Sequence, residues 1–215
     1  SSDSSSPLAV IPLTGEDEPE SSDSSSPLAV IPLTGQIGFV HGEMSNEANW
    51  FDAGHLEAMF KKARNAGAKI VVLEINSPGG LVIERDKICE IIQKYRPTFE
   101  IVAYPHSAFS AASTVAMTCD VILAAPDSKV GAAVVLLGGN AVEKKYASAD
   151  ASIVRSYLLN ANRQGEISDA FSIVSSELWY DKQNKKFASS ELDDSGNWSM
   201  VDSGDSILTL DSSAL

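Results

Sequence analysis

The sequence predicts an α/β protein: a mostly parallel sheet with flanking helices and a small C-terminal β-hairpin region. Three features carry that expectation. Apolar runs rich in β-branched residues at 70–75 and 99–104 read as buried strands. Each is followed by a small-residue turn and then a helix-forming segment, and such alternation favours parallel strands joined by right-handed crossovers. After residue 177 the texture changes to short strand-like runs broken by polar turns.

From the N-terminus, residues 1–15 (SSDSSSPLAVIPLTG) recur unchanged as 21–35, separated by the acidic Glu16-Asp17-Glu18-Pro19-Glu20. Fifteen unchanged residues are too well preserved for an old repeat. The Ser/Asp-rich half of each copy is too polar to build a core, so 1–27 reads as a disordered linker and 28–215 as one folded domain. The second Leu-Ala-Val-Ile-Pro-Leu-Thr-Gly runs into Gln36-Ile37-Gly38-Phe39-Val40 as an opening strand. The first copy then has no core position of its own; it is either disordered or adds as a strand to a neighbouring sheet edge. Residues 49–66 have helical spacing with Phe51, Leu56, Met59, Phe60 and Ala63 inward, and Gly67 is placed to end the helix.

The strand at 70–75 closes on Asn76-Ser77-Pro78-Gly79-Gly80. Paired glycines let backbone approach a ligand closely and leave N–H groups unshielded. Residues 81–95 then place Ile83, Ile88, Ile91, Ile92 and Tyr95 at helical spacing. A strand, a bare turn and a helix N-terminus together suit a negatively charged oxygen, although a plain β-to-α turn has the same pattern. The next strand candidate runs into Phe109-Ser110-Ala111-Ala112-Ser113, and small residues crowd Ser110. There a serine hydroxyl can face a cleft, with the following N–H favouring an oxyanion; close helix-on-sheet packing would use the same residues. The two loops on successive strands are more specific together than either alone.

These motifs, with Glu74-Ile-Asn-Ser-Pro-Gly-Gly-Leu-Val82, Ala116-Met-Thr-Cys-Asp120 and Ala125-Pro-Asp-Ser-Lys-Val-Gly131, resemble the Clp/crotonase superfamily over roughly residues 28–210. Within it the likeness is to NfeD-type membrane-associated serine proteases, relatives of signal peptide peptidase A. The resemblance implies a ClpP/crotonase-like fold and an endopeptidase with a serine nucleophile and a lysine base. Ser110 falls at the nucleophile position, and Gly79, Gly80 and Ala111 at the oxyanion hole. This chain departs from the family's usual Ala-Ser-Ala-Gly at Phe109 and Ala112, which bears on the S1 pocket and on backbone freedom behind the nucleophile. The resemblance also implies a polypeptide substrate, a stomatin-like membrane protein as partner, a homo-oligomer, and a place on the extracytoplasmic face of a bacterial membrane. Any signal or anchor would then lie outside this sequence, and a start at Ser1 fits a trimmed chain.

Clp proteolytic subunits carry a triad histidine where this chain has Ala133 or Val134, so a Ser-His-Asp triad is not expected. The histidines here are His41, His55 and His106, and His106 lies four residues before Ser110 on a short loop. A lysine fits better. Residues 142–162 read as a helix with an apolar stripe of Val142, Tyr146, Ala149, Ile153 and Tyr157. At about 100° per residue, Lys145 borders that stripe and Lys144 points to solvent. A lysine on such a border can turn its amine into a semi-apolar cleft, where desolvation favours the neutral form a base needs. Spacing back from Arg155 in the resembled family also selects Lys145, with Lys144 as the reserve.

The remaining features narrow the classes. At 215 residues and 44% hydrophobic, the chain suits one well-buried domain. A net charge of −13 without a basic stripe argues against a nucleic-acid partner. Cys89 and Cys119 fall in buried elements and read as packed free thiols. No metal-ligand spacing, Gly-x-Gly-x-x-Gly or Walker loop is present, and the chemistry implied needs no cofactor. There is no run of about twenty apolar residues. Two alternatives remain: a non-catalytic scaffold or peptide-binding protein of this fold, and an acyl-CoA-processing crotonase. The apolar, Gly-rich segment 134–140 would line the cleft and favour hydrophobic substrate segments.

Overall fold

The computed structural model describes residues 10–12, 28–38, 50–193 and 196–212. The first half holds β1 (Val10–Pro12), β2 (Leu28–Thr34), β3 (Gln36–Ile37), β4 (Trp50–Phe51), α1 (Ala53–Asn65), β5 (Ile70–Ser77) and α2 (Val82–Tyr95). Then come β6 (Glu100–Phe109), α3 (Ala111–Thr118), β7 (Val121–Ile122), β8 (Lys129–Gly131), β9 (Leu136–Leu137), β10 (Asn140–Ala141) and α4 (Lys144–Asn160). The chain closes with α5 (Ile167–Ser172), β11 (Leu178–Asp181), β12 (Lys186–Ala188), β13 (Trp198–Asp202) and β14 (Thr209–Asp211).

The main sheet has the order β1-β2-β5-β6-β8-β14, with β7 also paired to β6. Every pairing in it is parallel except β14 with β8. The mostly parallel sheet expected from the alternating pattern is therefore present, as is the hairpin of β11 and β12, which β13 extends on its other side. In β2 and β5 alternate residues are buried, Ala29, Ile31 and Leu33 beside Val71, Leu73 and Ile75. Phe60, Tyr95 and Phe99 pack ring on ring at 4.9–6.0 Å between α1, α2 and the sheet. No helix among the described residues is long and apolar enough to cross a membrane.

The linker expected over 1–27 lies outside the described residues except at Val10–Pro12, which adds as a parallel edge strand to this chain's own β2. Likewise His41 and the expected strand end at Phe39 and Val40 lie outside them. The helix expected from residue 49 begins at Ala53, because Trp50 and Phe51 pair with β3 and the Asp52 carboxylate accepts the His55 N–H at 2.7 Å. β6 runs five residues past the expected end at Tyr104. Pro105 is tolerated mid-sheet because the ladder bulges there: Ile75 pairs Pro105, Asn76 pairs Ser107, and His106 is the extra residue.

In α2, Ile83 is 59% exposed whereas Glu84 and Arg85 are buried, the reverse of what hydrophobicity suggests. Glu84 accepts the Ala53 N–H at 2.8 Å and so answers an unpaired donor at the start of α1. A larger correction concerns α4. Its buried face is Ala147, Asp150, Ala151, Val154, Tyr157 and Leu158, so of the expected stripe only Tyr157 points inward. Tyr146 and Ile153 are 57% and 42% exposed. Small alanines let α4 approach the core closely, and Asp150 is drawn in by a buried partner on α2.

Cys89 and Cys119 are free and buried, as expected. Burial pushes the Cys89 thiol up to about 12 and raises that of Cys119 as well. Both therefore stay protonated at ordinary pH. A thiol reagent at pH 8 is expected to label neither cysteine in the folded protein and both after denaturation; rapid labelling of the native state would contradict this packing.

Candidate functional site

Parallel strands present their carboxyl ends on one side of the sheet, and there β5 and β6 lie next to each other. The turn after β5 and the junction after β6 are thereby brought together, which is where open α/β sheets place ligands. An ideal Cβ on Gly79 would stand 2.5 Å from the Ser110 Cβ and 2.9 Å from the Ala111 nitrogen. The two loops singled out by the sequence are thus in direct contact, with Ser110 at the strand-to-helix junction.

Ser110 is the residue between β6 and α3, half-buried, with φ 51° and ψ −126°. Few non-glycine residues adopt this conformation, and it costs about 1–3 kcal/mol. It is held from several sides. The Ser110 N–H donates to the Gly131 carbonyl at 2.9 Å, and the Ser110 carbonyl accepts from both the N–H and the hydroxyl of Ser113 at 3.0 and 2.7 Å. Among the described residues nothing hydrogen-bonds the Ser110 hydroxyl, which leaves it available to a substrate. Ala112, where the resembled family usually has glycine, lies inside α3 and has no positive φ, so its methyl costs the backbone nothing there.

The Pro78-Gly79-Gly80 turn is braced from β3. Ile37 is fully buried; its N–H donates to the Gly79 carbonyl and its carbonyl accepts the Leu81 N–H, both at 2.8 Å. A Cβ on Gly80 would stand 1.8 Å from the Ile37 carbonyl oxygen, so no side chain fits. The Gly79 N–H is already taken by the buried Ser77 hydroxyl at 3.1 Å. Gly80 and Ala111 are left with N–H groups that no acceptor among the described residues occupies. Gly79 contributes space instead: at φ 97° and in contact with Ser110, it admits no methyl. Gly79→Ala is expected to cost about 2–4 kcal/mol from backbone strain and overpacking, read as a lower unfolding midpoint. An unchanged midpoint would mean that the turn does not sit against Ser110.

The basic candidates are less closely gathered. His106 is exposed on β6, its Nε2 3.0 Å from the Glu74 carboxylate and its ring edge-on to Tyr104. It lies four residue steps before Ser110 along the strand, a span of about 13 Å. Ala133 and Val134, the two positions weighed for a triad histidine, carry no titratable group; Ala133 is buried and Val134 half-buried. Lys144 and Lys145 are both exposed in the first turn of α4. The Lys145 ammonium lies over the Tyr146 ring, 4.8 Å from its centroid, and makes no hydrogen bond to Ser110. The revised helical phase reverses the sequence argument, since Lys145 projects away from the buried face and Lys144 lies about a quarter turn from its centre.

Preceding α4, the β9–β10 hairpin turns on Gly138 and Gly139, both with positive φ as a tight two-residue hairpin requires. Leu136 and Leu137 on it are 60% and 78% exposed. This is the apolar segment expected near the cleft. Missing from the sequence reading were the Ser77 hydroxyl, the Ile37 brace and the buried Arg85. A serine one step before Pro-Gly-Gly is a local signal for the first; the other two depend on long-range contacts.

The NfeD1b N-terminal domain family model matches residues 49–194, more than half of the chain. The membrane protein NfeD1b of Bacillus subtilis (strain 168) is 35% identical over 95 residues, which are 43% of this chain and 21% of that protein. The chain thus covers about a fifth of that relative's length. Among solved structures, a mutant of the 1510-N membrane-bound stomatin-specific protease superposes with TM-score 0.55 and 19% identity, over 68% of this chain and 69% of that one. A second mutant of it, in complex with a substrate peptide, gives TM-score 0.51 and 19% identity over 68% and 64%. At such identity the likeness establishes the shared fold alone.

Proposed function

The chain belongs to the NfeD1b N-terminal domain family, and from that premise we propose that it is a serine endopeptidase using a Ser110–Lys145 dyad. The observation that carries the reading is the strained Ser110 backbone packed against a glycine turn with free N–H groups at Gly80 and Ala111. A half-buried hydroxyl with no hydrogen-bond partner among the described residues, held at such a junction, suits a nucleophile. Ser110 Oγ would attack the scissile carbonyl while neutral Lys145 takes its proton. The tetrahedral oxyanion would accept hydrogen bonds from Gly80 and Ala111, with Gly79 leaving room for it. Collapse would expel the amine, protonated by Lys145, and water would then release the acyl group from Ser110. The structural neighbours are described as a stomatin-specific protease. By analogy the substrates are hydrophobic segments of membrane-associated proteins, a stomatin-like protein among them, met at the extracytoplasmic face of a bacterial membrane. An apolar preference also fits the exposure of Leu136 and Leu137 on the β9–β10 hairpin that precedes α4.

Cleavage of a peptide library, with fluorophosphonate labelling alongside, tests the reading by comparing the intact protein with Ser110→Ala. Absence of serine-dependent cleavage would favour the second reading, a non-catalytic peptide-binding scaffold. The outward position of both Lys144 and Lys145 is the observation on that side. Self-association is also expected, because Leu81, Ile83, Leu136 and Leu137 leave large apolar groups exposed. Sedimentation at micromolar concentration should give a mass above the monomer, and a strictly monomeric mass would count against it.

A further inference from the structure

Arg85 is the bulkiest of the fully buried side chains, 1% exposed in the first turn of α2. Its guanidinium forks onto Asp150 of α4, with Nη1 to Oδ2 at 3.0 Å and Nη2 to Oδ1 at 2.7 Å. Nε and Nη2 also donate to Asp86 Oδ1 at 2.9 and 2.7 Å. Burial opposes the charge on Arg85, and the two carboxylates override it. Such a pair is poor as glue, because apolar side chains of similar size join two helices at least as well. What a bidentate fork supplies is direction: it fixes both the height and the rotation of the helix that carries the carboxylate.

The two helices it joins are the ones the proposed chemistry needs in register. α2 follows the Pro78-Gly79-Gly80 turn through Leu81, whose N–H is held by Ile37. α4 begins at Lys144 and Lys145, and Asp150 lies five residues beyond Lys145. A slip of one residue along α4 would move the lysine by about 1.5 Å and swing it by about 100°. Misplacement by about 1 Å can cost a hundredfold in rate. We propose that the buried Arg85–Asp150 fork is a positioning pair that sets the base-bearing first turn of α4 against the oxyanion turn ahead of α2. This rests on the peptidase reading of Ser110 and Lys145, and it assigns Arg85 and Asp150 no contact with substrate.

The test separates orientation from stability. In the double variant Arg85→Met/Asp150→Leu, apolar groups replace the pair, and the unfolding midpoint is expected to stay within a few degrees of the parent or rise. Its kcat should fall at least tenfold with KM within about twofold. Amide hydrogen exchange over residues 144–148 should accelerate at least tenfold relative to 157–160. Arg85→Lys keeps the charge but not the fork, so it should show the same loss of kcat. Should the double variant fail to fold, Asp150→Asn, which keeps shape and one acceptor, carries the same readouts. A folded variant with parental kcat and unchanged exchange overturns the proposal, as does full activity in Arg85→Lys. A parent protein without peptidase activity sinks the dyad reading instead, and the exchange arm still decides whether the fork holds α4.

Discussion

Ser110→Ala is expected to lower peptide cleavage by about four orders of magnitude or more, the scale on which removal of a nucleophile acts, while the unfolding midpoint changes little. The hydroxyl makes no hydrogen bond among the described residues, so its loss leaves no buried partner unsatisfied. Alanine must adopt the same φ of 51° as serine and inherits the same strain. Ser110→Gly adds a second arm to the comparison. Glycine reaches positive φ without a Cβ clash, so this variant should be equally inactive yet more stable, by about 1 kcal/mol after its greater chain entropy is subtracted. Inactivity with raised stability would show that the fold stores strain at the nucleophile. Parental cleavage by Ser110→Ala would place the nucleophile elsewhere and leave the elbow as a packing feature.

The fold was legible because its signals are local. β-branched runs, the Pro-Gly-Gly turn and the alanine-rich helix after Ser110 each announce themselves within a dozen residues, and a parallel sheet brings adjacent strand ends together without further information. Ser110, Gly79, Gly80 and Ala111 were all named from sequence, and their proximity follows from that topology. What sequence missed depends on distant partners. Glu84 and Arg85 carry no local mark of burial; Ala53 and Asp150, distant in sequence, are what hold them inside. The phase of α4 failed for the same reason: the rule that large apolar residues face inward set Tyr146 and Ile153 inside, whereas Arg85 holds Asp150 there and turns them out. The extension of β6 through Pro105 likewise required a bulge that no local pattern announces.

Lys145→Ala is expected to reduce cleavage at least about a hundredfold, the usual scale for losing a general base. Substrate binding should persist, since the Gly79-Gly80 turn, α3 and the β9–β10 hairpin do not depend on that amine. Cleavage by the parent protein should rise with pH on this reading, because the ammonium cannot accept the Ser110 proton and only the neutral amine can. Loss of Lys145 should flatten this rise as well as lower it. The exposed Lys145 of the free chain must then turn from Tyr146 towards Ser110 when a polypeptide covers the hairpin and the first turn of α4; catalytic hydrogen bonds are commonly long or absent before substrate arrives. Lys144→Ala is the decisive control. The helical phase puts Lys144 nearer the buried face, whereas spacing from Arg155 in the resembled family selects Lys145. If Lys144→Ala removes both the activity and its pH dependence while Lys145→Ala spares them, the base is Lys144 and geometry outranks the family spacing. If both variants cleave like the parent, Ser110 is not activated by a lysine of this helix.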